Sequence, residues 1–105
     1  MENVLSPEKV LPRDILQDVE TVESILRRHG ALKIILYGSL ARGDYQADSD
    51  IDICVDGIPA DRYFRVLAEC LMETHRRVSV LNLEDTQGYL RERILREGKI
   101  LYESQ

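Results

Sequence analysis

Apolar residues recur along the chain in two rhythms. Leu11, Ile15, Val19, Val22 and Leu26 follow one another at spacings of four and three, with Ile25 beside them, which is the pattern of one helical face. Asp14, Asp18, Glu20 and Glu23 fall between them and are expected to form a solvated face. Arg27, Arg28 and His29 occupy the last turn, where cations suit the helix dipole, and Gly30 supplies the stop. Leu32 to Tyr37 is short and mostly apolar, which predicts a buried strand, and Asp50 to Val55 predicts a second one, ended by Gly57 and Pro59. A helix is expected over residues 60–75, with Tyr63, Phe64, Leu67, Cys70 and Leu71 as its apolar positions. Arg77 to Leu83 predicts a third strand. Residues 86–97 predict a further helix with Leu90, Ile94 and Leu95 inward and a favourable Glu92–Arg96 pair one turn apart. Gly98 caps it, and Ile100 to Tyr102 adds an edge strand. Residues 1–10 read as a loosely structured lead-in. Helices alternating with a small sheet predict a two-layer α/β (α+β) domain, one domain over residues 1–105.

Composition narrows the function classes. With 105 residues, 44% hydrophobic and 31% charged, the chain supports one modest core and is no disordered acidic tail. No apolar run approaches the roughly 18 residues of a spanning helix, so no membrane association is expected. Met1 to Leu5 lacks a basic region followed by an apolar stretch, so no secretory signal is visible and a cytoplasmic location is expected. The net charge of −5 argues against direct DNA or RNA binding, which needs a basic surface, but leaves room for a small local anion site. Cys54 and Cys70 lie inside apolar runs and are expected as free core thiols.

The chemistry concentrates between Leu36 and Ile53. Gly38-Ser39 ends a predicted strand and leads into a helix start. A glycine there lets backbone N–H groups approach an anion, Ser39 adds a hydroxyl, and Arg42 one turn on adds a charge-assisted contact. The segment contains neither a Walker P-loop nor a dinucleotide fingerprint. Asp50-Ile51-Asp52 is the second part. Residues i and i+2 of a strand share a face, so both carboxylates project to one side and Ile51 and Ile53 to the other. With backbone origins roughly 6–7 Å apart, their repulsion is on the order of 2–3 kcal/mol at an effective dielectric of 20. A solvated strand end is the plain explanation. A divalent cation is the chemical one, and Mg²⁺ completed by phosphate oxygens suits such ligands. An anion seat beside a carboxylate pair is what nucleotidyl transfer requires.

Gly38-Ser39, ten intervening residues, then Asp50-x-Asp52 resembles the signature of the polymerase-β-type nucleotidyltransferase superfamily. The string from Tyr37 through Ile53 and the tail from Glu97 to Glu103 resemble the minimal nucleotidyltransferases (MNT proteins) in particular. The resemblance implies a small mixed β-sheet with helices packed on one side. It implies transfer of AMP from ATP to an acceptor hydroxyl, with Gly38, Ser39, Arg42 and Ser49 on the nucleotide and Asp50 and Asp52 both catalytic and ligands of Mg²⁺. It also implies a helical HEPN-domain partner, against which MNT proteins act as antitoxins, some by adenylylating a tyrosine of the toxin. Homodimer and hetero-oligomer are both open at this level. A small-molecule acceptor such as an aminoglycoside is a further alternative, although no acceptor pocket is visible in the sequence.

One departure matters. Members of the family carry a third carboxylate on the next strand, in a stretch like V-D-L-V-D-L. Here that stretch is Val78-Ser79-Val80-Leu81-Asn82-Leu83, with Ser79 at the expected acid and Asn82 on the opposite face by strand alternation. Glu84 and Asp85 follow the strand and are the nearest replacements. A two-ion site would lack this ligand. The alternative is therefore a catalytically weak or inactive MNT-fold subunit that neutralises its partner by binding.

Overall fold

A computed structural model describes residues 11–104, and the expected lead-in over residues 1–10 lies outside the described residues. The chain runs α1 (Arg13–Arg28), β1 (Lys33–Tyr37), a one-turn α2 (Ser39–Arg42), β2 (Ile51–Asp56), α3 (Tyr63–Glu73), β3 (Val78–Asn82), α4 (Gly88–Glu97) and β4 (Lys99–Glu103). Single 3₁₀ turns over Ala60–Arg62 and Leu83–Asp85 lead into α3 and α4. The four strands form one mixed sheet in the order β3-β2-β1-β4. β1 pairs antiparallel with both β2 and β4, and β2 pairs parallel with β3. The closing edge strand expected from Ile100 to Tyr102 is β4. No helix of the described residues is long and apolar enough to cross a membrane.

The period-2 alternation of the strands divides the residues between two unequal faces. Ile34, Leu36, Ile51, Ile53, Val55 and Val80 turn to the larger face, where they pack with Ile15, Val19, Val22, Ile25 and Leu26 of α1 and with Val66 and Cys70 of α3. Fully burying side chains of this kind contributes about 1.5–3 kcal/mol each, so this layer holds the fold together. The smaller face carries Ile35 and Cys54, covered by Leu83 and by Ile94 of α4. Gly98 closes α4 in extended backbone, φ −70° and ψ 157°. A side chain there would collide with Ile35, so this glycine serves the close approach of α4 to β1.

Three expectations need correction. Phe64 and Leu71 are not core residues: they are 82% and 78% exposed, and α3 buries Val66 and Cys70 instead. This helix is apolar on two sides, and the side facing α1 and the sheet is the one phased on Val66. Leu90 and Leu95 are also exposed, because α4 covers only the small second face and one inward residue, Ile94, fills it. Asp18 is not solvated: it is 3% exposed and sits in the contact between α1 and the loop that follows α3. Cys54 and Cys70 are buried free thiols, as expected.

Candidate functional site

Gly38 stands where β1 ends and α2 begins, with φ 75° and ψ −158°. That region is open to glycine almost alone. A Cβ at Gly38 would strike the Asp52 carboxylate, so the missing side chain lets the turn press directly against that acid. Ala41 and Arg42 donate their backbone N–H groups to the Gly38 carbonyl at 3.1 and 3.0 Å, which closes the single turn that Ser39 opens. The first N–H groups of such a turn have no partner within it. The glycine turn and the Asp52 carboxylate, fourteen residues apart in the sequence, thus meet.

The strand register builds the rest. Tyr37 lies opposite Asp52 across the β1–β2 ladder, and Asp52 lies opposite Ser79 across the β2–β3 ladder. The three form one polar row on the small face of the sheet. The next row on that face, Ile35, Cys54 and Leu81, is apolar and supports α4. The polar row is half-buried. Burial raises the pKa of Asp52, the neighbouring charge of Asp50 raises it further, and Arg42 pulls it back. Tyr37 is pushed up to about 12, first by burial and then by the Asp52 charge, against a hydrogen bond with Ser79 that favours the ionised phenol. The last residue of the strand expected from Leu32 to Tyr37 thus belongs to the site. Its place one residue before Gly38, on the same side as Ile35, was the available signal.

Ser79 therefore stands beside Asp52, where a third acid would serve. Glu84 and Asp85 do not replace it. β2 and β3 run parallel, so both acids follow the far end of β3 from Ser79, and Asp85 acts electrostatically on Tyr63 there. Among the described residues no three His, Cys, Asp or Glu side chains converge as a metal-holding group.

Asp50 precedes β2 in a loop whose position is fixed by Arg76. The side chain of Arg76 is 10% exposed and donates to the carbonyls of Ala47 at 3.0 Å and Ser49 at 3.3 Å. It also donates to Asp18 Oδ2 at 3.2 Å, and Asp18 accepts from the His75 backbone N–H at the same distance. Ile51 N–H donates to the Arg77 carbonyl at 2.9 Å and starts the parallel ladder. Ser49 accepts from the Gln46 backbone N–H at 2.7 Å, which helps shape the loop before β2. Arg42 reaches from α2 toward Asp44, Nε to Oδ2 at 3.3 Å, and toward Glu97 of α4.

Asp50 and Asp52 are the side chains that could hold a divalent cation. Their mutual repulsion, only partly offset by Arg42, suits one. Magnesium is commonly bound through one or two carboxylates with water and substrate phosphates completing its shell, so this donor set fits one such ion.

Comparison with known proteins bears on the same segment. The polymerase beta nucleotidyltransferase family matches residues 20–105. The chain belongs to this family. The protein MJ1547 of Methanocaldococcus jannaschii, named as a candidate protein adenylyltransferase, is 29% identical over 69 residues, 66% of this chain and 53% of that protein. The chain thus spans about half the length of this curated relative. A solved structure described as a minimal nucleotidyltransferase superposes with a TM-score of 0.69 at 27% identity, covering 93% of this chain and 98% of that one. Two toxin–antitoxin structures share the fold. One, solved with AMP-PNP, has a TM-score of 0.70 at 22% identity, with 82% and 73% of the two chains covered. The other, a tri-AMPylated Shewanella oneidensis HEPN toxin in complex with MNT antitoxin, has a TM-score of 0.66 at 19% identity, with 86% and 73% covered. The minimal-nucleotidyltransferase fold expected from the motif is the fold observed, except that the helices are not all on one side: α4 covers the face opposite α1 and α3.

Proposed function

We propose that this chain transfers AMP from ATP to a hydroxyl group, a tyrosine of a HEPN-domain toxin, and acts in the cytoplasm as the matching antitoxin. The observation that carries the reading is the contact between the Gly38 turn and the Asp52 carboxylate. It joins a phosphate seat to a carboxylate pair at one point. Gly38, Ser39 and Arg42 would hold the triphosphate, and Asp50 and Asp52 would hold Mg²⁺. The ion, when bound, would neutralise phosphate charge and favour ionisation of the acceptor hydroxyl. The acceptor hydroxyl gives up its proton to solvent, its oxygen forms a bond to the α-phosphorus, the bond from that phosphorus to its bridging oxygen breaks, and pyrophosphate leaves. Asp52, already hard to ionise beside Asp50, is stabilised as a carboxylate by any cation between them. The named protein adenylyltransferase relative and the AMPylated toxin complex support AMP as the transferred group and a HEPN protein as acceptor.

Incubation with labelled ATP, Mg²⁺ and the HEPN partner tests the reading. Transfer to the partner, lost in Asp52→Asn, is the expected outcome. Absence of transfer with a stable complex favours the second reading, an antitoxin that acts by binding. The observation behind that alternative is Ser79 beside Asp52 with Glu84 and Asp85 at the far end of β3.

A further inference from the structure

Glu97, near the end of α4, is the hub of three arginines. Its Oε1 lies 3.6 Å from Arg93 Nη2 and 3.9 Å from Arg42 Nη1, and its Oε2 lies 4.0 Å from Arg96 Nη2. Arg42 belongs to the Gly38 turn, whereas Arg93 and Arg96 come from α4. The two elements enclose a cavity of about 90 Å³ walled by Tyr37, Gly38, Arg42, Arg93 and Glu97, with Ile94 at its apolar side. The glycine turn therefore opens onto a wall that Arg42 and Arg93 share with Tyr37, Leu90 and Ile94. In a chain of net charge −5 this concentration of cations is local and specific. Glu97 is shared among these three guanidinium groups, and Arg42 also pairs with Asp44 and lies in the field of Asp52. The ion pairs to Glu97 are long and their arginines at least a third exposed, so each contributes little and is readily exchanged for a better anion.

We infer that Arg93 is a triphosphate-binding residue of this site and that Glu97 is the resident counter-anion which a nucleoside triphosphate displaces. The inference rests on the phosphate seat proposed at Gly38 and extends it across to α4. A triphosphate offers several oxygens to a guanidinium fork, where Glu97 offers one carboxylate shared among three arginines. A monophosphate carries less charge and gains less from the same wall. Arg93 thus discriminates by phosphate number rather than by base.

Calorimetric titration of the full chain with ATP and with AMP, each at millimolar Mg²⁺, tests it. Arg93→Ala is expected to weaken ATP about tenfold and to leave AMP within about twofold. Glu97→Gln is expected to strengthen ATP severalfold and to steepen its salt dependence, because the arginines lose their internal partner. The opposite signs separate this role from simple damage to α4, which would weaken both ligands in both variants. Wild-type ATP binding that Arg93→Ala leaves unchanged overturns the inference and spares the phosphate seat. Equal losses for ATP and AMP, or weaker ATP binding by Glu97→Gln, also overturn it. No ATP binding by the wild type overturns the seat and the inference together.

Discussion

Two charged clusters flank the loop before β2, and they are built on opposite principles. On one side Asp18 is buried against Arg76 as a balanced ion pair, with His75 donating its backbone N–H and the exposed Asp14 at the rim of the same guanidinium. On the other side Asp52 lies against the Gly38 turn with the charge of Asp50 beside it and only Arg42 in partial compensation. A balanced buried pair needs nothing from outside and serves to place backbone. An unbalanced, half-buried pair has a deficit that a cation can make good. The difference shows how one loop can be held rigidly from its structural side while its chemical side stays poised for ligand. It also accounts for Arg76 donating to carbonyls of Ala47 and Ser49: the clamp sets the spacing between Asp50 and the turn without spending a carboxylate of the site.

Removing a charge on the two sides should move stability in opposite directions. The largest effect is expected for Asp52→Asn, with label transfer to the HEPN partner falling at least about 10²-fold. The same change should raise stability above pH 4. Asp52 has a raised pKa in the folded state, so its contribution is complete at low pH and declines as pH rises past the unfolded carboxyl value. Urea denaturation at pH 7 showing Asp52→Asn less stable than wild type would contradict the view of this pair as strained.

Arg76→Ala should do the reverse in kind. It leaves Asp18 buried without its guanidinium, at a cost of about 3 kcal/mol in unfolding free energy, the lower end for a broken buried pair because the His75 contacts remain. A loss below about 1 kcal/mol would make the pair a surface bridge in energy, whatever its burial. Gly38→Ala is expected to cost about 1–3 kcal/mol for the glycine-only backbone, and to reduce transfer as well, since the new methyl group displaces Asp52. The smallest effect concerns Tyr37. With its folded pKa at about 12 against an ordinary value of 10.0, the unfolded chain gives up this proton first, so stability should fall as pH rises from about 10 to about 12. Tyr37→Phe should flatten that decline, which pH-dependent thermal melting would register.

Much of this was legible from residue order. Gly38-Ser39 and Asp50-x-Asp52 are local signals: a bend that needs glycine and two acids on one side of a strand are visible within a few residues. The long regular spacing in α1 has one dominant apolar face and folds as it reads. α3 and α4 were misread for a shared reason. Both are short helices on small contact areas, with more apolar positions than the sheet can cover, so Phe64, Leu71, Leu90 and Leu95 match an inward pattern and remain outside. Asp18 was misread because its partner lies far along the chain. A carboxylate between core positions is solvated unless something folds over it, and Arg76 does so from beyond α3.

The order of residues by itself determined the succession of elements, the glycine bend and the carboxylate pair, because each depends on backbone preferences and side-chain parity over short spans. Tertiary structure alone decided which acid is neutralised and which is left wanting. It set Tyr37, Asp52 and Ser79 in one row and brought Arg93 and Glu97 of α4 to the Gly38 turn. Electrostatic energy depends on distance in space and on burial, and neither is known until the sheet has its register and the helices have their faces.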